Sequence, residues 1–362
     1  MTRSKVGLGG ILAALLAALA LLLPAASAQA RVGRSFWGVV PSPGMGLTIQ
    51  DLDMMRQAKV GIVRNPVYEE DVEYQPGLFD FSATDALIGY LASRGIPTLP
   101  DLVDSQTNPP PPISGSAAQN WQQFVHEMVA RYGPGGTFWS PGGQYQQDHP
   151  GGPVIPVTNW QAYNEPNLHK YFPSNSPVSD YAKLLALTSD AIHGVDPSAK
   201  VVLAGMPTLH SKYVPFPGFK FLDQLYGVPG AKADFDIAAA HPYAENLDQL
   251  RLAMKKIRAA MKQHGDKRTP VWITELGYGS DRFNHHLNFG LAGQAKMLRK
   301  TFHLILDRRG RWNVRGVVWY DWRDPPVKNP DCSFCSSAGL LKPNNSGKPA
   351  FRAYKHFTGA GP

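Results

Sequence analysis

Glu165 and Glu275 each close a short apolar segment, Asn159-Trp160-Gln161-Ala162-Tyr163-Asn164-Glu165 and Pro270-Val271-Trp272-Ile273-Thr274-Glu275. Pro166 follows the first segment and offers no N–H to a strand ladder, so the strand stops with Glu165 at its C-terminal tip. One carboxylate at a strand tip is ordinarily solvated or paired. Two of them, on different strands, can divide work: one delivers a proton while the other attacks or activates water. Asn164 and Asn167 flank the first carboxylate, adding amides that suit acid–base chemistry on a polar substrate.

Such tips need a scaffold that brings them together. Apolar runs at 35–40, 60–64, 96–100, 159–165, 199–204, 235–241, 270–275 and 314–320 read as strands. Helical patterns alternate with them. Thr48 or Asp51 starts a helix through Ala58, and others are expected over 80–94, 117–132, 178–195, 219–226, 247–264, 288–308 and 349–357. Asp80 or Ser82 caps the second helix and Gly95 stops it. The strand runs lack the alternation of a half-exposed sheet, which fits parallel strands covered on both faces. Eight strands alternating with eight helices in 362 residues point to an α/β fold, a (β/α)8 (TIM) barrel. An open doubly wound sheet is the alternative. Against it, no Gly-rich phosphate loop follows a strand: Gly7-Leu8-Gly9-Gly10 lies near the N-terminus and Gly133-Pro134-Gly135-Gly136 follows a helix.

In a barrel, functional residues sit at the C-terminal ends of strands. Val271, Ile273 and Glu275 share one parity and point inward, leaving Trp272 and Thr274 toward the helices. Glu165 and Glu275 then face each other across the mouth from the fourth and seventh strands. This is the arrangement glycosidic bond hydrolysis needs, with one carboxyl protonating the leaving oxygen and the other working on the opposite face of the sugar. The chain here resembles the retaining glycoside hydrolases of clan A. Asn164-Glu165-Pro166-Asn167-Leu168 most resembles family 39, whose acid/base segment typically reads Trp-Asn-Glu-Pro-Asn; family 5 is also similar. Tyr163 stands where Trp is usual.

The resemblance implies Glu165 as general acid/base and Glu275 as nucleophile. It implies Asn164 as a partner of the sugar 2-hydroxyl, with a bulge or strand end turning both Asn164 and Glu165 to the site. Arg64, at the tip of the second strand, matches the clan's arginine that keeps the nucleophile ionised. His241 and Tyr243 match the pair on the sixth strand, with Tyr243 bonding Glu275, and Trp319 or Trp322 matches the aromatic floor under the sugar. The end of the third strand, Asp101 to Asp104, lacks the histidine of several clan members. The implied substrate is a poly- or oligosaccharide, with no cofactor and no metal. A non-catalytic carbohydrate-binding barrel is the rival reading; it needs aromatic contacts but neither glutamate.

Other residues carry weaker signals. His285-His286 with Asp281 falls short of a metal-ligand pattern. Tyr171, Phe172, Tyr213, Phe216 and Phe219 lie in loops on the catalytic side and either line the sugar or pin the loops. The long connection Gly133–Val157 follows a helix and belongs to the opposite, stability face. Asn344-Asn345-Ser346 fits a glycosylation sequon.

The N-terminus reads as an export signal. Arg3 and Lys5 precede an apolar run of 18 residues, Val6 to Leu23; Pro24 breaks it and Ala26-Ser27-Ala28 offers a cleavage site. Cleavage after Ala28 or Ala30 leaves one domain, 29–362, secreted or extracytoplasmic; an uncleaved anchor is the alternative. The signal is residues 1–28, and its removal leaves 34 Lys+Arg against 28 Asp+Glu, a net charge of +6. That charge is scattered, without the basic run of a nucleic-acid arm. In an oxidising compartment, Cys332 and Cys335, the two cysteines of the chain, read as one disulfide. Nothing in the sequence specifies an oligomeric state.

Overall fold

Short β-branched and alanine-rich runs bounded by Gly and Pro form eight parallel strands, and the amphipathic segments between them form the outer helices. A computed structural model describes residues 32–42, 46–282, 285–329 and 332–361; the expected signal segment 1–28 lies outside them. The chain divides at Gly33, and the barrel is the unit Arg34–Pro362. Its strands are β1 (Trp37–Val39), β2 (Ile62–Tyr68), β3 (Thr98–Val103), β4 (Asn159–Asn164), β5 (Lys200–Gly205), β6 (Ala238–Ala240), β7 (Val271–Leu276) and β8 (Val314–Trp319). The helices are α1 (Ile49–Gln57), α2 (Ser82–Ser93), α3 (Gly115–Tyr132), α4 (Pro177–Val195), α5 (Gly218–Tyr226), α6 (Leu247–Gln263), α7 (Gly290–Trp312) and α8 (Pro349–Thr358).

The sheet runs β5-β4-β3-β2-β1-β8-β7-β6 with every pairing parallel. Parallel bridges Val202↔Ile237 and Pro207↔His241 nearly close the ring between β5 and the β6 segment. This is a (β/α)8 barrel, as the alternation predicts. Among the described residues, no helix is long and apolar enough to cross a membrane.

Local chemistry explains the boundaries. Thr48 caps α1 in a capping box: Thr48 Oγ1 accepts from Asp51 N at 3.1 Å, and Asp51 Oδ2 accepts from Thr48 N at 2.9 Å. Gly95 turns with φ 72° after α2. Pro177 opens α4 at a position where its missing N–H costs nothing. The core lies between strands and helices; the Trp37 ring of β1 stacks on Phe302 of α7 at 4.0 Å.

β2 is longer than expected, so Arg64 is its third residue and not its tip. The reason lies at Pro66. Val63 N–H donates to Pro97 O toward β3 at 3.0 Å, so by alternation the Pro66 nitrogen faces the β1 side. β1 has already ended at Val39, and no ladder bond is lost there. β3 likewise runs on to Val103, which places Asp101 inside the strand. The chain after β2 adds a helical turn, Glu69–Val72, and a small hairpin, Glu73–Gln75 with Leu78–Phe79. The 133–157 connection folds on itself through Thr137–Trp139 and Gln144–Asp148. Cys332 and Cys335 are disulfide-bonded.

Candidate active site

Glu165 follows the last residue of β4, where the backbone leaves strand geometry. Tyr163 and Glu165 have φ of 76° and 47°, a region bulky residues rarely occupy. Strict alternation is broken, and neighbouring residues reach the same mouth. Asn164 Oδ1 accepts from Arg64 Nη2 at 2.9 Å, and Glu165 Oε1 lies 2.8 Å from His241 Nδ1. The Tyr163 hydroxyl points away, 2.8 Å from Asp104 Oδ1 and 3.2 Å from the Tyr171 carbonyl. That bond accounts for a phenol at this position: it ties the end of β4 to the end of β3.

β7 departs from regularity as well. Its pairing with β8 passes from Ile273↔Val317 to Leu276↔Trp319, so β7 carries one extra residue, a bulge. Thr274 and Glu275 both turn toward the site there. Thr274, expected to face the helices, instead places Oγ1 3.1 Å from His241 Nε2. A side chain at Gly205 on β5 would collide with both His241 and Thr274, so this close approach requires glycine.

Arg64 is the hub. Its Nη1 donates to Glu275 Oε1 at 2.7 Å, Nη2 to Asp101 Oδ2 at 2.7 Å, and Nε to Gln161 Oε1 at 2.7 Å. Tyr243 donates to the other oxygen of Glu275 at 2.8 Å. His241, fully buried, lies between the two glutamates, 2.8 Å from Glu165 and 3.6 Å from Glu275.

The two carboxyl groups are pushed apart in acidity. Burial raises Glu165 above the ordinary carboxyl range, and the charge of Glu275 adds to this, against the hydrogen bond and charge of His241. Burial acts upward on Glu275 as well. There His241, the Arg64 guanidinium and the hydrogen bonds from Tyr243 and Arg64 outweigh it and hold the carboxyl below the ordinary range. Burial and Glu275 push the Tyr243 phenol well up, so it stays a donor.

Donor atoms of Glu165, His241 and Glu275 lie within 4.8 Å of one another, the one such group among the described residues. The Glu275 oxygens already accept from Arg64 and Tyr243, and Glu165 from His241. The guanidinium occupies the flank a cation would need, so the donor set suits proton and sugar chemistry better than a resident metal. The rings of His285 and His286 stack at 4.1 Å, and Asp281 takes Lys328 Nζ at 3.1 Å instead of pointing at them as a ligand. Of the loop aromatics, Phe172 is fully buried and pins its loop, whereas Tyr213 is exposed.

The tryptophans do not form the expected floor. Trp319 and Trp322 are both 0% exposed. The Trp319 indole donates to Ala338 O at 3.2 Å and its ring packs near Tyr278 and Phe302, in the layer under α7. The Trp322 indole donates to Asp51 Oδ1 at 3.0 Å. Neither has a face left for a ligand. Tyr320, one residue past β8, joins Tyr243 as an aromatic in the electrostatic reach of Glu275 and Glu165. Phe334, inside the disulfide loop, bridges it to Tyr243, with ring centroids 6.0 and 5.4 Å away. Sequence reasoning passed over Tyr320 and Gln161 and named Asp101 only as part of a strand end lacking a histidine. For the last two the signal was present: a charge or an amide inside a buried apolar strand demands a partner.

Residues 154–344, over half of the chain, match the family described as glycosyl hydrolase catalytic core. Solved structures share the barrel. A family 39 glycoside hydrolase from the gut symbiont Bacteroides cellulosilyticus WH2 superposes with TM-score 0.63 at 20% identity, over 90% of this chain and 64% of that one. A glucosidase from Croceicoccus marinus gives TM-score 0.65 at 18% identity, over 91% and 68%. A GH5_18 variant from Bifidobacterium longum subsp. longum ATCC 55813, in complex with Manb1-4GlcNAc, gives 0.63 at 14% identity, over 90% and 78%. The chain thus spans less than two thirds of the length of the family 39 structure. Structures of families 39 and 5 are both among these neighbours, at 20% and 14% identity, and the likeness is one of fold. No curated protein sequence matches the chain.

Proposed function

The chain belongs to the glycosyl hydrolase catalytic core family, and on that premise we propose that it is a retaining enzyme acting by double displacement, with Glu165 as acid/base and Glu275 as nucleophile. The observation that carries this is the close approach of the two carboxyl groups with opposed acidities. Their facing oxygens lie within 4.8 Å. Retaining pairs sit about 5–5.5 Å apart, whereas inverting pairs leave about 6.5–9.5 Å for a water.

In the first step the Glu275 carboxylate attacks the anomeric carbon, the glycosidic C–O bond breaks, and Glu165 hands its proton to the departing oxygen. In the second, Glu165 takes a proton from water, whose oxygen displaces Glu275 and regenerates both groups. Arg64 and Tyr243 hold Glu275 ionised and aimed. Asn164, fixed by Arg64, faces the sugar, with Tyr320 and Phe334 as its apolar wall. The substrate class is a poly- or oligosaccharide handled outside the cytoplasm, as the N-terminal segment suggests.

Activity needs Glu275 ionised and Glu165 protonated. One acidity lies below and the other above the ordinary value, so the window between them is wide and the pH–kcat/KM profile is a bell. NMR of the first-formed anomer tests the mechanism: retention is expected, and inversion contradicts it.

A further inference from the structure

We propose that Asp101, on β3, is a positioning residue that sets the proton affinity of the Glu165–Glu275 pair through their shared guanidinium. The inference rests on the acid/base and nucleophile roles given above and adds a third carboxylate to them.

The geometry is specific. One guanidinium binds Glu275 through Nη1 and Asp101 through Nη2, each at 2.7 Å, and the same Nη2 holds Asn164. Arg64 and Asp101 are each 2% exposed, so water screens neither. The second oxygen of Asp101 is buried with no partner. The network therefore holds one permanent cation against three carboxyl groups, an excess of negative charge that only bound protons relieve. Asp101 bonds Arg64 from β2 and lies in the field of Tyr68 from β2, Tyr163 from β4 with Glu165 just past it, Glu275 from β7 and Tyr181 from α4. Burial, with Glu275 and Glu165, pushes its carboxyl to about 7 against the pull of Arg64.

The consequence is asymmetric. Below neutral pH Asp101 is protonated and leaves Glu275 undisturbed. Above it, the Asp101 charge makes Glu165 hold its proton longer and extends the alkaline limb of activity. Asp101→Asn removes the charge but keeps the shape. Its alkaline limb should move to lower pH by about 0.5–1.5 units, while the acid limb stays in place. Asp101→Glu should restore the wild-type position. Gln161→Glu, which adds a charge on the opposite flank of Arg64, should move the alkaline limb the other way; it keeps the test alive should Asp101→Asn fail to fold.

The measurement is the pH dependence of kcat/KM on an unactivated alkyl glycoside or oligosaccharide that the wild type turns over, whose leaving oxygen needs the Glu165 proton. If Asp101→Asn and Gln161→Glu change the height of the bell but neither limb, Asp101 is only structural and the proposal is overturned. Glu165→Gln separates the two layers. If that variant keeps full rate and both limbs, the acid assignment itself fails. If it loses the alkaline limb while Asp101→Asn leaves it in place, only the role of Asp101 fails.

Discussion

Arg64 and Arg323 are both buried guanidiniums paired with buried carboxylates, yet they sit in opposite kinds of surroundings. Arg323 Nη2 meets Asp51 at 2.9 Å, and the remaining capacity of Asp51 is filled by the Thr48 backbone and hydroxyl and by the Trp322 indole. One cation meets one carboxylate, and the carboxylate is saturated. Arg64 meets two carboxylates directly and a third through space, and one Asp101 oxygen stays bare. A buried ion pair is weak evidence for anything but its own history. An unbalanced one, held in place by bulges and left-handed residues, is the place for the proton transfers proposed above.

The contrast breaks if the two regions respond alike to mutation. The largest effect is expected at Glu275→Ala, where kcat should fall by roughly 10⁴-fold or more, above about 5 kcal/mol in barrier. The thermal midpoint should barely move, because an excess carboxylate has been removed. Asp51→Ala should do the reverse. It strands Arg323 and should cost about 3–5 kcal/mol in urea unfolding, with kcat/KM of the folded fraction unchanged. Tyr243→Phe removes one hydrogen bond to a charged group, worth about 1.5–3 kcal/mol. Its kcat/KM should drop about 10- to 100-fold, and the acid limb should move to higher pH because the bond favoured the ionised Glu275. Trp322→Phe is the finest discriminator: about 1.5–3 kcal/mol of stability lost with the bond to the Asp51 carboxylate and kcat/KM unchanged, since the ring touches no sugar.

Most of the architecture was legible because burial on both faces of a parallel strand leaves an unmistakable apolar run, and because Pro166 punctuates β4. The carboxylate pair followed from placing two strand ends on one barrel. The irregularities were not legible. The extra residue in β7 that turns Thr274 inward depends on its register with β8, which no single strand encodes. Arg64 looked like a strand tip because Pro66 ordinarily ends a central strand; only the shortness of β1 permits it. Trp319 and Trp322 drew attention by residue type, while the aromatic of this stretch that feels the charge of the carboxylates is Tyr320 between them. Parity near a strand end decides such a case, and parity fails where the backbone bends. Tyr163 was unexplained as a departure from tryptophan until Asp104 supplied its partner.

The central claim is the division of labour between Glu165 and Glu275. Azide rescue tests it most directly, with an activated aryl glycoside as substrate and NMR of the glycosyl azide as readout. Glu275→Ala should yield the azide of inverted anomeric configuration, formed on a site that has lost its nucleophile. Glu165→Ala should yield the retained azide, formed by attack on the glycosyl-enzyme. The opposite pairing of products, or wild-type hydrolysis by both variants without azide, would contradict the assignment.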